Sequence, residues 1–487
     1  MTSYLRRLGL SLVAGGALTL GAPGASAIEV LKLRFPVIDE TLTARVSELA
    51  SPDALWAGTS DLAELNRATR GSYARALEQL LSLPLPKPKL SDSEMAQQVE
   101  VLLRRLIDVD PGDRKLDAAP VLAGLKLARA QAQGRPITLL DLLQAIPGES
   151  VTIRLDRAIP ILQRIHAQEQ AMERVMGQLP KLGAAPASLL QPGSFPIQTS
   201  VVKIPVNTSA EHLQITVVRP QGVPSRPPVV ISHGLWDAPS SFLGWAQHLA
   251  SHGVPVFLAR HPGSDHSQQA AMLAGQAPPP DPKEFLRRPR DVKALLDALQ
   301  AGTLPDAQGI RAENVTVIGH SWGGTTALQL GGARSLPSPV WKECDELDHP
   351  NRNLSWVLQC TFLPAATADS MADPRITRVV AVSPPQGLVF AAGLADLRIP
   401  VLLVSGSNDQ VVPPTPEALT PFASYPRGPH RLVLVEGGSH FNLPAKADSD
   451  GGPLRALLLQ WSQGQGLAAS TAVSDPKGMI LRLGSQP

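Results

Sequence analysis

A serine stands between glycines in Gly319-His320-Ser321-Trp322-Gly323, directly after the apolar run Val315-Thr316-Val317-Ile318. This is the G-x-S-x-G pattern of a nucleophile elbow, a sharp strand-to-helix turn that lifts a serine oxygen out at the end of a sheet. Side chains beside the serine would collide in so tight a turn, so glycines flank it. The preceding run reads as a buried strand, and Gly324-Thr325-Thr326-Ala327-Leu328-Gln329-Leu330 continues as a close-packed helix. The chemistry is nucleophilic attack on a carbonyl, with Ser321 as the candidate nucleophile.

Such a serine needs a histidine base and an acid to orient it, in chain order Ser, Asp or Glu, His. Ile399-Pro400-Val401-Leu402-Leu403-Val404 reads as a strand that ends in Ser405-Gly406-Ser407-Asn408-Asp409, and Asp409 is the candidate acid. Aspartate in such a loop is commonly a turn former. Asp409 stands out because it follows a core strand and precedes the last histidine loop. Arg431-Leu432-Val433-Leu434-Val435 reads as the next strand, followed by Glu436-Gly437-Gly438-Ser439-His440, and His440 is the candidate base. His430 opens that strand whereas His440 closes it, and only the closing end shares a rim with Ser321. Asp396 precedes its strand and falls at the wrong end.

Acyl transfer also needs donors for an oxyanion. One is the backbone N–H of Trp322, next to the nucleophile. The second is expected from the loop after Pro228-Val229-Val230-Ile231-Ser232, where His233-Gly234-Leu235-Trp236 offers the N–H of Leu235. His233 reads as a prop for this loop. His261, Asp265 and His266 are residue types that bind metals, but their spacing reads as a polar loop beside the pocket, and no metal site is expected. Trp236 and Phe441, with Leu235 and Trp322, give the rim an apolar character that suits an uncharged acyl or aromatic group.

Ile231-Ser232-His233-Gly234-Leu235, Leu249-Ala250-Ser251-His252-Gly253-Val254, Arg260-His261-Pro262-Gly263-Ser264 and Arg288-Pro289-Arg290-Asp291-Val292 stand in the order seen in the α/β-hydrolase superfamily. Residues 196–465 resemble that superfamily. More narrowly, they look like exported bacterial platelet-activating-factor acetylhydrolase-like and dienelactone hydrolase-like serine esterases that carry a helical N-terminal domain. The resemblance implies an α/β-hydrolase fold and a serine mechanism. Dienelactone hydrolases proper have cysteine where Ser321 stands, and the acetylhydrolases proper carry their acid one strand earlier, where this chain has Ser383. Fold and catalytic serine carry over; the substrate does not.

The elements that must position these residues follow from the alternation of strand and helix patterns after Thr199, which predicts a mostly parallel sheet flanked by helices. Residues 333–373, between the elbow helix and the strand Ile376–Val382, exceed a plain connection. They carry Trp341, Cys344, Trp356, Cys360 and Phe362 and read as a cap-like insertion over the acyl pocket, or as a surface excursion with its own small core. Residues 466–487 read as a C-terminal tail. Residues 28–195 read as an all-helical N-terminal region. Helices are expected over 61–66, 74–81, 94–107, 118–131, 139–145 and 159–176, with Pro84-Leu85-Pro86-Lys87-Pro88 as a break and Gly183 to Pro196 as a linker.

The first 27 residues resemble a secretion signal: Arg6-Arg7 supply charge, Leu8 to Leu20 is apolar, and Ala25-Ser26-Ala27 suits cleavage before Ile28. The apolar stretch falls short of the roughly 20 residues that span a bilayer. A secreted or periplasmic protein without a transmembrane span is expected. Export suits a disulfide between Cys344 and Cys360, the only two cysteines, with two buried free thiols as the alternative.

At 487 residues the length implies two or three domains. The 44 basic and 42 acidic side chains are balanced without a Lys/Arg run, so nucleic acid is not an expected partner. No phosphate-cradling glycine loop or Cys/His metal spacing occurs, and no cofactor is expected. The composite expectation is an exported serine hydrolase that cleaves carboxylic esters of small molecules or lipids through an acyl-enzyme. The alternatives are a lipase or phospholipase, peptidase or thioesterase action of the same machinery, and a binding protein with a vestigial hydrolase domain. Oligomeric state is not legible.

Overall fold

The computed structural model describes residues 27–34, 41–71, 81, 105, 107–110, 119–206, 212–222, 226–273, 276–347, 349–468, 470–474 and 479–484. The chain divides into two compact units, one of residues 1–34, 40–85 and 108–153, the other of 35–39, 86–107 and 154–487. The signal-like residues 1–26, the helix expected over 74–81, most of that over 94–107 and the proline-rich break lie outside the described residues.

In the first unit, helices Asp61–Ala68, Ala119–Gln131 and Leu139–Leu143 fall where the apolar spacing predicts them. Ser60 caps the first of these through its hydroxyl, and Thr138 with Asp141 forms a capping box on the third. The all-helical reading omits a four-stranded sheet, in the order Thr41–Arg45, Val30–Arg34, Ser150–Arg154, Ile107–Asp110. These strands have four or five residues each. Over so short a span the two-residue period of Val30-Leu31-Lys32-Leu33-Arg34 is easily lost among longer helical patterns.

The second unit is built on a nine-stranded sheet. Its strands are β1 (Ile197–Ile204), β2 (Leu213–Pro220), β3 (Val229–Ser232), β4 (Val256–Ala259), β5 (Val315–His320), β6 (Ile376–Val382), β7 (Val401–Gly406), β8 (Arg431–Val435) and β9 (Leu481–Gly484). They lie in the order β9-β8-β7-β6-β5-β3-β4-β2-β1. Strands β3 to β8 are parallel, and β1, β2 and β9 are antiparallel to their neighbours. The parallel strands are apolar nearly throughout because both faces are covered. Val317, Val379 and Ala381 enter one core, while Ile318, Val380 and Val382 enter the other. The helices that bear on the site are α1 (Leu243–Ser251), α2 (His266–Leu273), α3 (Glu284–Gln300), α4 (Trp322–Leu330), α5 (Trp356–Phe362) and α6 (Arg455–Ser462).

Two stretches that composition marks as linker and tail are structured together. Gly183–Ala184 pairs in parallel with Ala472–Ser474, the Leu182 N–H donates to Leu481 O at 2.8 Å, and β9 closes the sheet beside β8. Small residues there reflect close packing of backbone on backbone. The helix Leu155–Gln178 also belongs to the second unit, where Met172 and Met176 join the first core. Among the described residues no helix is long and apolar enough to cross a membrane.

Cys344 and Cys360 are joined in a disulfide. It ties the 3-10 helix Pro339–Glu346 to α5, and Phe362 of α5 stacks on Trp322 with ring centroids 4.3 Å apart. The insertion is thus anchored on the helix that follows Ser321. Denatured, unreduced protein is expected to show no free thiol. With the cysteines 16 positions apart in sequence, Cys344→Ser is expected to cost about 3 kcal/mol in urea unfolding by the chain-entropy relation. A free thiol in the parent protein would contradict this pairing.

Gly323 allows a second check. A Cβ there would lie 2.0 Å from the Ser232 carbonyl oxygen, whereas one on the helical Gly177 would meet nothing within 4 Å. Gly323→Ala is expected to cost at least about 2 kcal/mol of stability, while Gly177→Ala is expected to be neutral or stabilising by up to about 1 kcal/mol. Thermal melts of the two variants compare them directly.

Candidate active site

The sheet register brings the candidate residues to one edge. His320 pairs with Val382, Val382 with Val404, Gly406 with Val435, and Gly319 with Ser232. The residues that follow these strand ends are therefore neighbours on one rim: His233, Ser321, Ser383, the loop to Asp409 and the loop to His440. His430 immediately precedes β8 at the far edge, and its ring meets Tyr425 edge-on at 5.5 Å.

Ser321 occupies the corner between β5 and α4 with φ 52° and ψ −124°. That conformation costs a non-glycine residue about 1–3 kcal/mol and persists only where surroundings dictate it. Here they do. The Ser321 N–H donates to Val382 O at 2.9 Å, and a Cβ on Gly319 would fall 1.9 Å from Gly323 O. Ser321 itself is fully buried.

Asp409 and His440 form a buried pair. His440 Nδ1 lies 2.8 Å from Asp409 Oδ2, and the second carboxylate oxygen accepts the N–H groups of Val411 (3.0 Å) and Val412 (2.7 Å). With the carboxylate so fixed, Nδ1 carries the proton and Nε2 is left as the basic nitrogen. His320, the residue before Ser321, packs its ring 4.7 Å from that of His440, and its Nε2 donates to His440 O at 2.9 Å. Sequence reasoning passed over His320 because the x of G-x-S-x-G carries no signal of its own.

The two expected oxyanion donors have related geometry. Ser321 O accepts from Gly324 N (2.8 Å) and Thr325 N (3.2 Å), so the Trp322 N–H in the same trans peptide faces the opposite way, out of the helix start. Among the described residues neither that N–H nor the N–H of Leu235 has a backbone or side-chain acceptor. The close approach of Gly323 to Ser232 O and His233 O brings the two loops together.

The expected pocket residues divide. Phe441 is 42 % exposed beside His440, with its ring edge-on at 5.2 Å. Trp236 is sealed in the core, its N–H bound to Ser264 O (2.7 Å) and its Nε1 to Gln268 Oε1 (2.6 Å). It is about as buried as Ser321 and His440 and packs in the first core. Leu235 and Trp322 are also buried. Asp265 pairs with Arg260 at 2.5 Å, His266 Nδ1 meets Gln269 Oε1, and His261 is held between Ser232 and Asp291. Among the described residues no group of three His, Cys, Asp or Glu could hold a metal.

Glu417 gave no sequence signal, yet it is buried and accepts Ser355 Oγ (2.5 Å), Gln359 Nε2 (2.9 Å) and the N–H groups of Gln386 (2.8 Å) and Gly387 (2.7 Å). It ties the insertion helix to the loop after β6 and to the segment after Asp409. Burial pushes its pKa up, against the pull of these donors.

His233, His261 and His320 are all held well below the ordinary histidine range, chiefly by burial. The Arg288 guanidinium adds to this at the first two, and His440 at the third. Folding therefore keeps each neutral, while the unfolded chain takes up protons below pH 6.5 or so. Their stabilisation is fully present above that pH and is lost as pH falls through it, at up to about 1.4 kcal/mol per pH unit for each histidine. Urea unfolding at pH 7.5 and 5.5 is expected to show this loss, with a smaller loss in His261→Gln. An unchanged midpoint would contradict the buried neutral state.

Residues 229–449 match the family model of the alpha/beta hydrolase family. No curated protein matches the chain. The matched span begins on β3 and ends beyond the loop that carries His440. Together, the sheet order and this match give the second unit the α/β-hydrolase fold.

Proposed function

We propose that the protein is a serine ester hydrolase: Ser321 attacks the carbonyl carbon of a carboxylic ester, His440 takes its proton, and Asp409 orients the imidazole. The observation that carries the reading is the Asp409–His440 pair at 2.8 Å, on the same rim as a serine held at φ 52°. As the hydroxyl oxygen bonds to carbon, the carbonyl oxygen gains charge and is stabilised by the N–H groups of Leu235 and Trp322. His440 then protonates the leaving alkoxide, and the acyl group stays on Ser321. Water, deprotonated by His440, releases the acid and restores the serine.

Export fits the same reading. A cleaved leader ending at Ala27 would deliver the domain to an oxidising compartment, where the Cys344–Cys360 bridge is stable. Lipid esters are the second reading. Its support is Phe441, a large apolar side chain 42 % exposed next to His440. Activity that jumps once a substrate aggregates would favour it.

The test is hydrolysis of p-nitrophenyl esters from two to sixteen carbons by the protein expressed with its own leader and collected after export. Ser321→Ala is expected to lower kcat by roughly 10⁶-fold and Asp409→Asn by roughly 10⁴-fold. A fluorophosphonate is expected to label wild type but not Ser321→Ala. Intact activity in Ser321→Ala, or a wild type that neither turns over nor labels, would sink the proposal.

A further inference from the structure

The motifs Ser232-His233-Gly234, Arg260-His261-Pro262-Gly263-Ser264 and Arg288-Pro289-Arg290-Asp291 lie far apart in sequence and converge behind the Leu235 loop. Their centre is Arg288, fully buried on α3. Its Nη1 donates to His233 O (2.7 Å), its Nη2 to Gly234 O (3.0 Å) and Ser264 O (3.1 Å), and its Nε to Ser264 Oγ (2.9 Å). Gly234 O also accepts from His233 Nδ1 at 2.7 Å.

That nitrogen must carry the proton, because His233 Nε2 accepts the His261 N–H at 3.1 Å. His261 is fixed in turn. Its Nδ1 donates to Asp291 Oδ2 at 3.0 Å, and its Nε2 accepts the Ser232 hydroxyl at 3.0 Å. Asp291 and Ser232 thus fix the His261 ring, the His261 main-chain N–H fixes His233, and His233 and Arg288 both donate to the Gly234 carbonyl.

The consequence lies across the peptide bond. Gly234 C=O and Leu235 N–H share one trans peptide plane and point in opposite directions. Two donors anchoring Gly234 O therefore aim the Leu235 N–H at the other side of the loop. One of those donors is a buried cation, which polarises the peptide and strengthens its N–H as a donor. A buried guanidinium is a poor choice for stability alone, since an apolar side chain of similar volume serves at least as well.

We propose that Arg288 is a positioning residue for oxyanion stabilisation, holding and polarising the Gly234–Leu235 peptide, with Asp291 and His261 as its support through His233. This rests on the ester-hydrolase reading above. The site is one that binds the negative oxygen of a tetrahedral intermediate more strongly than the neutral carbonyl of the ester, so the signature is a loss in kcat rather than in KM.

The experiment uses the exported full chain, with Arg288→Lys, Arg288→Gln and Asp291→Asn, each checked for folding by circular dichroism melts. On the preferred p-nitrophenyl ester, Arg288→Gln is expected to lose about 100-fold in kcat. Arg288→Lys is expected to recover part of that loss, and Asp291→Asn to lose about tenfold, all with KM within about twofold of wild type. The inhibition constant of a trifluoromethyl ketone, which forms a tetrahedral oxyanion on the serine, is expected to rise by the factor by which kcat/KM falls, while that of the product carboxylate stays unchanged. A folded Arg288→Gln with wild-type kcat, or with KM and product inhibition weakened as much as kcat, overturns the proposal. If neither Arg288 variant folds, the same split in Asp291→Asn decides it, and its absence there overturns it. A wild type that neither turns over nor takes a fluorophosphonate would instead remove the ester-hydrolase reading beneath it.

Discussion

Contact between the start of α4 and the end of β3 is the constraint on which the rest of the site depends. Gly323 sits so close to the Ser232 carbonyl that a Cβ would lie 2.0 Å from its oxygen. Without that approach, the loop carrying Leu235 could not reach the helix start that carries Trp322. The same helix start fixes Ser321, whose carbonyl takes two helical N–H groups while its own N–H is held by Val382. Ser321 and the N–H groups of Leu235 and Trp322 are therefore set by backbone, in elements that the sheet register already aligns. Side chains adjust the site, but the main chain determines where it can be.

Strain at Ser321 persists because the elements on either side of it are among the best buried in the molecule. β5 is buried along its whole length, and its alternate residues enter separate cores on the two faces of the sheet. Each fully buried aliphatic side chain contributes about 1.5–3 kcal/mol. A handful of them outweighs the cost of one unfavourable φ/ψ pair. Polar groups near the site are satisfied in the same spirit. Asp409 accepts two backbone N–H groups besides His440, and Glu417 accepts four donors from two segments.

Much of this was legible in sequence, and the reason is local encoding. An elbow is written in five consecutive residues around Ser321, and Asp409 and His440 each follow an apolar run that reads as a strand, so the three could be singled out as candidates without coordinates. The sheet and its flanking helices were legible for the same reason, through alternating periods of two and 3.6 residues. What escaped was non-local. Arg288 looked like a family marker with no task, because its partners, His233 and Ser264, are 55 and 24 residues away. Gly183 to Pro196 and residues 466–487 read as linker and tail because Ala, Gly and Ser mark tight packing as readily as mobility. The small N-terminal sheet was missed for shortness.

The molecule also holds a comparison that separates geometry from reactivity. Ser232, His261 and Asp291 form a serine–histidine–aspartate chain, with Ser232 Oγ 3.0 Å from His261 Nε2 and His261 Nδ1 3.0 Å from Asp291 Oδ2. Residue types and spacing alone would make it as good a triad as the Asp409–His440 pair with Ser321. It differs in what surrounds the serine. Ser232 is the last residue of a regular strand, covered by the Gly323 contact, with no glycine-flanked corner to turn its oxygen outward. Nor do helix-start N–H groups face it, as Trp322 N–H does beside Ser321. Burial first, and the Arg288 guanidinium beside it second, hold the pKa of His261 well below the ordinary range. Both oppose the positive charge that taking a serine proton would place there. The same three side chains that could form a catalyst at a strained corner serve, at a strand end against a buried cation, as a rigid strut.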